Sequence, residues 1–115
     1  MISADKLKNV KKLVTHKNCA DGTSSALIIK DVLPDIEVLF AGYKDDEYLN
    51  LNAEDGLLFC DISPPTGREE EFLESKSIVL DHHIKTKEVV ERFQKEGQGV
   101  YGDITKKQTI FCIEV

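Results

Sequence analysis

The chain has 115 residues, of which 41% are hydrophobic and 31% charged, and it carries a formal net charge of −6 at pH 7. That length suits one domain with a single core, and the negative balance argues against a broad basic surface for gripping duplex nucleic acid, which needs clustered Lys and Arg. No apolar run approaches the ~20 residues of a membrane span, and the opening Met-Ile-Ser-Ala-Asp-Lys-Leu-Lys lacks the apolar stretch of a signal peptide.

Ser3 to Val10 reads as a short leading helix with Ser3 as its N-cap. The N-terminal group Lys6, Lys8, Lys11 and Lys12 reads as a solvated helix face. Leu13 to His16 is the first strand. Thr23 to Leu33 is an apolar helix, opened by Gly22 and stopped by Pro34. Ile36 to Phe40 is the second strand. Tyr43 to Glu54 is polar and reads as either a short helix or a loop. Leu57 to Asp61 is the third strand, and Pro64-Pro65-Thr66-Gly67 then breaks the chain. Arg68 to Glu74 is a short helix with Phe72 and Leu73 facing inward; its Glu69-Glu70-Glu71 run is solvated and well placed near a helix start. Ser77 to Leu80 is the fourth strand. Thr86 to Lys95 is a helix with Val89, Val90 and Phe93 on one face, ended by Gly97. Gly99 to Tyr101 and Thr109 to Ile113 are two further strand candidates.

Strands alternating with helices at short spacing favour right-handed βαβ units. The strands are continuous apolar runs, as expected when both faces are covered. The expected fold is therefore α/β, an open and mostly parallel sheet of about five strands with helices on both faces. Residues 1–115 are read as one domain of this kind, and a cytoplasmic protein is expected. Cys19, Cys60 and Cys112 are widely spaced and odd in number, so no disulfide framework is expected. Cys60 reads as a small buried hydrophobe.

The chemistry-bearing residues fall at strand ends. Asp81-His82-His83 directly follows Ser77-Ile78-Val79-Leu80. His16 follows Lys12-Leu13-Val14-Thr15 and is followed by Asp21. Gly56-Leu57-Leu58-Phe59-Cys60 ends in Asp61. In an open parallel sheet these ends lie on one rim, where ligands bind. Oxygen and imidazole donors together suit manganese, magnesium or iron better than a thiolate zinc centre. A carboxylate shared by two divalent ions ~3.5–4 Å apart would create a hydrolytic site for phosphorus. Asp61 is the bridging candidate, because its strand should lie between or beside the other two. Gly22, Thr23 and Ser24 follow Asp21 at a helix start, where backbone N–H groups attract anions, and could hold a substrate phosphate. Ser24 and Ser25 read as helix-start residues rather than nucleophiles, and Cys19 as a small neighbour of the site rather than a thiolate ligand.

These segments also resemble a known family. Thr15-His16-Lys17-Asn18-Cys19-Ala20-Asp21-Gly22 is similar to the first motif of the DHH phosphoesterases, in the variant with Cys two residues before Asp-Gly. Cys60-Asp61-Ile62-Ser63 resembles the second motif and Leu80-Asp81-His82-His83 the third. The order and spacing agree, from about Lys12 to about Asp103.

The resemblance implies a parallel α/β domain, usually with two manganese ions. It implies hydrolysis of phosphoester or phosphoanhydride bonds, in a phosphate-ester small molecule or a short single-stranded oligonucleotide. It assigns His16, Asp21, Asp61 and His82 to the metal, with Asp61 bridging. Asp81 would hold the ligating His82, and His83 would face the scissile phosphate or complete the metal's coordination. Many relatives carry a carboxylate where Cys19 stands. A later Asp ligand is also part of the pattern, and Asp103 is the substitute within this sequence. The Gly-rich, His-containing substrate domain of many members does not appear, so the chain is expected to be a fragment or a short member.

Two other readings stand beside this one. The first is a domain of the same type that binds metal or nucleotide, or oligomerises, without turnover. An exposed strand edge at Thr109 to Ile113 would support such self-association. The second is an unrelated α/β nucleotide-binding module, against which neither GxGxxG nor GxxxxGK[ST] occurs.

Overall fold

Five short strands pair side by side in a parallel sheet: β2 (Lys12–His16), β3 (Glu37–Ala41), β4 (Leu57–Cys60), β5 (Ile78–Asp81) and β6 (Gly99–Tyr101). Their order is β3-β2-β4-β5-β6, which makes β4 the central strand. The structure is a computed structural model that describes residues 2–3, 7–81, 83–101 and 113–114. Parallel neighbours need crossovers, and helices α1 (Ala20–Val32), α2 (Asp46–Leu49), α3 (Glu69–Glu74) and α4 (Lys87–Lys95) lie in the connections. The α/β class, the parallel sheet and the covering of both faces are as the sequence predicts.

Side chains alternate across the sheet, and each face builds its own core. Leu13, Leu58, Cys60, Ile78 and Leu80 meet Ala26 and Ile29 of α1, together with Leu7 and Ile36. On the other face Val14, Leu57, Phe59 and Val79 meet Tyr48 of α2, Phe72 of α3, and Val90 and Phe93 of α4. The Phe59 and Phe72 rings stand edge to face with centroids 5.4 Å apart, a favoured aromatic geometry. Val90 and Phe93 are three positions apart on α4, so they share its inward face.

The register is the feature that positions the site. Val14 pairs with Phe59, and Phe59 with Val79, so these three form one row across β2, β4 and β5. The next residues on the same face are His16, Asp61 and Asp81, each two positions further on. The order in which strands are added to the sheet also reverses here. From β2 the chain crosses to β3 on one side, then returns past β2 to β4 on the other. Ligands of open α/β sheets bind beyond the carboxyl ends of the strands at such a reversal.

Four expectations change. The leading helix expected from Ser3 to Val10 changes in its described part: Ile2–Ser3 is a strand, β1, and Leu7 opens a tight turn closed by the Val10 N–H on the Leu7 carbonyl at 3.0 Å, while residues 4–6 lie outside the described residues. Second, α1 begins at Ala20 with Cys19 as its N-cap, three residues before the expected start at Thr23. Third, β4 stops at Cys60, and Asp61 turns out of the strand with φ 62°. Fourth, Ile113–Glu114 forms β7 and pairs with β1 in a separate two-stranded sheet, not at the edge of the main one. The rest of the strand expected at Thr109 to Ile113 lies outside the described residues, as do His82, Asp103 and Cys112. Among the described residues no helix is long and apolar enough to cross a membrane.

Gly22 sits where α1 crosses the end of β2. A Cβ there would come within 2.0 Å of the His16 carbonyl oxygen, while the Thr15 hydroxyl donates to the Gly22 carbonyl at 3.1 Å. Gly22→Ala is expected to force the helix off the strand and cost ~1–3 kcal/mol, the usual range for overpacking. A lower urea midpoint at unchanged slope would register it. Ser24→Ala, at an exposed position, should leave the midpoint near wild type.

Candidate metal centre

Asp61 is fully buried, and its backbone is unusual for a residue with a side chain. A φ of 62° lies in the left-handed region, which costs ~1–3 kcal/mol for a non-glycine residue. The ladder continues through it, because its N–H donates to the Leu80 carbonyl at 3.0 Å. The loop beyond is held by Tyr48, whose hydroxyl donates to the Ser63 carbonyl. Ile62 and Ser63 are buried, which fixes the exit from the strand.

Around the Asp61 carboxylate two groups of donors converge. In the first, His16 Nδ1 lies 3.9 Å from Asp61 Oδ2, and the Cys19 thiol donates to the same oxygen at 3.2 Å. In the second, His83 Nε2 lies 3.9 Å from Asp61 Oδ1, and His83 Nδ1 is 2.6 Å from Asp81 Oδ1. Each group, His16-Cys19-Asp61 and Asp61-Asp81-His83, has one ligand atom per residue with all of them within 4.8 Å of one another. Asp61 belongs to both. The rings of His16 and His83 face each other across it, edge on, with centroids 6.4 Å apart.

Asp81 is the anchored member. Its Oδ2 accepts from the Ser63 hydroxyl at 2.9 Å and from the Thr86 hydroxyl at 3.0 Å. Its Oδ1 takes His83 Nδ1 at 2.6 Å, which makes Nδ1 the protonated nitrogen and leaves the Nε2 lone pair directed at the Asp61 side. A carboxylate holding the far nitrogen of an imidazole is the usual arrangement behind a metal-ligating His. Among the described residues the imidazole that Asp81 holds is His83.

His16 is the complement of this. Its Nδ1 is buried and has no hydrogen-bond partner. Buried polar atoms are nearly always paired. The 3.9 Å from this nitrogen to Asp61 Oδ2 is too long for a hydrogen bond. Two donors ~2.1 Å from one cation lie about 3–4 Å apart, so an ion between them would satisfy both. Two buried carboxylates side by side also repel, and a cation offsets that. The donor set and the orphaned nitrogen therefore fit divalent metal.

The remaining predicted residues fall differently. Asp21 lies in the first turn of α1 and is part of neither donor group; its carbonyl accepts from the Ser25 hydroxyl at 2.7 Å. At the anion cradle expected at Gly22, Thr23 and Ser24 the helix start lies earlier than predicted. With the helix starting at Ala20, the Thr23 N–H is already bonded to the Cys19 carbonyl at 3.0 Å, and Gly22 serves close packing against β2.

Sequence reasoning missed Tyr43, Ser63 and Thr86. Ser63 and Thr86 look like turn and cap residues in the sequence, and only their approach to Asp81 gives them a role. Tyr43 follows the end of β3 on the same rim, which is the signal that would have found it. Its ring lies 5.5 Å from that of His16 and 5.8 Å from that of Tyr48. Partial burial, then the nearby Asp81 and Asp61 carboxylates, push its hydroxyl up to about 12, against a backbone hydrogen bond at Ser63 that lowers it. Burial pushes the Tyr48 hydroxyl and the Cys60 thiol up as well.

Compared with known proteins, the chain matches no family model, no curated protein and no solved structure.

Two outcomes test this geometry. Ser63→Ala should loosen Asp81 and weaken divalent-ion binding by ~10–100-fold, the usual cost of losing a partner behind a ligand; manganese titration followed by electron spin resonance reads it. Tyr43 favours the fold while its hydroxyl is neutral. That stability is present below pH 10 and lost as pH climbs through about 12. Tyr43→Phe should accordingly flatten alkaline unfolding in that window and remove one high-pH transition from the ultraviolet titration.

Proposed function

We propose that this chain is a two-ion, manganese-dependent phosphoesterase domain of the DHH type. Its substrate would be a phosphate-ester small molecule or a short single-stranded oligonucleotide. The observation that carries the reading is one buried carboxylate, Asp61, shared by two donor groups at the carboxyl end of the central strand. The resemblance of the segments around His16, Asp61 and Asp81 to the three family motifs supports it from the sequence side.

Divalent ions at these groups would neutralise charge on the phosphoryl group and lower the pKa of water for in-line attack. Manganese suits the oxygen and imidazole donors, and magnesium is the nearest substitute. The chain's own contribution is placement. Asp61 holds the two donor groups at a fixed spacing, because its N–H is bonded to Leu80 of β5 directly after the central strand. His16 approaches from the β2 side. Asp81 keeps the His83 ring in one tautomer and one orientation, so that Nε2 presents a lone pair. Ser63 and Thr86 keep Asp81 still. Tyr43 stands beside His16 at the mouth, half exposed, where it can contact a bound ester. His82 is assigned as a ligand by the resemblance alone.

The test is hydrolysis of a generic phosphodiester with added manganese or magnesium. Asp61→Asn should lower kcat by about a thousandfold, the several kcal/mol that metal stabilisation of the transition state supplies. His83→Ala and His82→Ala should also lower it. Wild-type turnover that all three variants retain would remove the catalytic reading. Ion binding without any turnover would favour the non-catalytic domain instead.

A further inference from the structure

We propose that Cys19 is a ligand, and that the two metal positions are chemically unequal: His16-Cys19-Asp61 takes a thiophilic ion such as zinc or iron(II), while Asp61-Asp81-His83 takes manganese or magnesium. The inference rests on the two-ion reading above and narrows it, confining manganese to the second of the two positions.

Three observations support the thiol's role. First, Cys19 Sγ is 3.2 Å from Asp61 Oδ2, the same oxygen that His16 Nδ1 faces at 3.9 Å. Nitrogen, sulfur and oxygen donors thus surround one small volume. Second, His16 Nδ1 is buried there without a hydrogen-bond partner, an independent sign that this nitrogen is free to ligate. Third, Cys19 occupies the N-cap of α1 in an extended conformation, φ −136° and ψ 132°, yet its side chain makes no capping hydrogen bond. The usual work of an N-cap side chain is to bond the first free N–H groups. This one is turned to the carboxylate instead.

The consequence is selectivity. Thiolate is a soft donor that favours zinc and iron over magnesium or manganese, whereas carboxylate and imidazole accept the harder ions. The second group contains no sulfur. Binding at the first would release the thiol proton now directed at Asp61 to solvent, leaving Cys19 and Asp61 both as anionic donors.

Cobalt(II) is the probe, because a thiolate bond to it gives a charge-transfer band in the near ultraviolet. Titrating the full chain with cobalt should produce that band, and Cys19→Ser should erase it and weaken the first ion by at least about tenfold. Zinc should also slow alkylation of Cys19 in the wild-type protein, read by mass spectrometry, which does not depend on how the variant folds. No band at saturating cobalt, or a band that survives in Cys19→Ser, would overturn the proposal. Charge transfer without phosphodiester hydrolysis keeps the ligand and removes the hydrolase; hydrolysis without charge transfer does the reverse.

Discussion

Everything at this rim depends on the register of three parallel strands. Val14, Phe59 and Val79 lie in one buried row, and His16, Asp61 and Asp81 are the next residues on that face. Adjacent strands are ~4.8 Å apart, so side chains in one row arrive at spacings a cation can bridge. A slip of one residue would send every member to the opposite face. The apolar row forbids that, because each of its side chains would then leave the core formed with α2, α3 and α4. Core packing thus does the work of alignment, and the polar row inherits its precision.

The same constraint explains how two buried carboxylates are tolerated. Burying a charge without compensation is expensive. Asp81 is compensated by two hydroxyls and an imidazole, drawn from the loop after β4 and from the turn that leads into α4. Asp61 instead sits among a thiol and two imidazoles, in a backbone conformation that a non-glycine residue seldom adopts. The strained residue and the orphaned His16 nitrogen are neighbours. On the proposed reading an ion there would give the His16 nitrogen its partner, while the Asp61 backbone is held in its conformation by the structure around it.

Much of the fold is legible in the sequence. Leu57-Leu58-Phe59-Cys60 and Ile78-Val79-Leu80 are too short for buried helices and are bounded by Gly, Ser and Pro, so strands follow. The donors could be placed on one rim because each run ends in an acid or an imidazole. Other features were not legible, for identifiable reasons. The start of α1 was misplaced because Cys19 is a poor N-cap by propensity, whereas Gly22 and Thr23 resemble a helix opening. A helix turns ~100° per residue, so beginning at Ala20 changes which groups face the site. That is why the thiol of Cys19, and not the carboxylate of Asp21, completes the group with His16. The strand at Ile2–Ser3 was hidden because it pairs with Ile113–Glu114, a partnership across the whole sequence that no local pattern announces. Ser63 and Thr86 were invisible because hydroxyl contacts to Asp81 depend on loop paths.

On the proposed reading, the electrostatics also set an order of events. The chain carries net negative charge, and at the rim Asp61 and Asp81 stand among imidazole and thiol donors. A phosphate approaching the bare rim would meet carboxylates at close range, and at an effective dielectric of ~20 one such contact costs about 4 kcal/mol. Cations reverse the sign of that interaction, so they must be seated before the ester is bound. The two groups are prepared for this to different degrees. Asp81 and His83 are already held in place by Ser63 and Thr86, so an ion there requires little reorganisation. His16 has its pairing unspent, so an ion there gains a contact that the protein alone does not supply. Asp61, Asp81 and His83 would therefore be the group to hold an ion first, since Ser63 and Thr86 already fix Asp81. His16 and Cys19 face the other Asp61 oxygen, so with both groups holding ions the rim would turn a cationic face to phosphate.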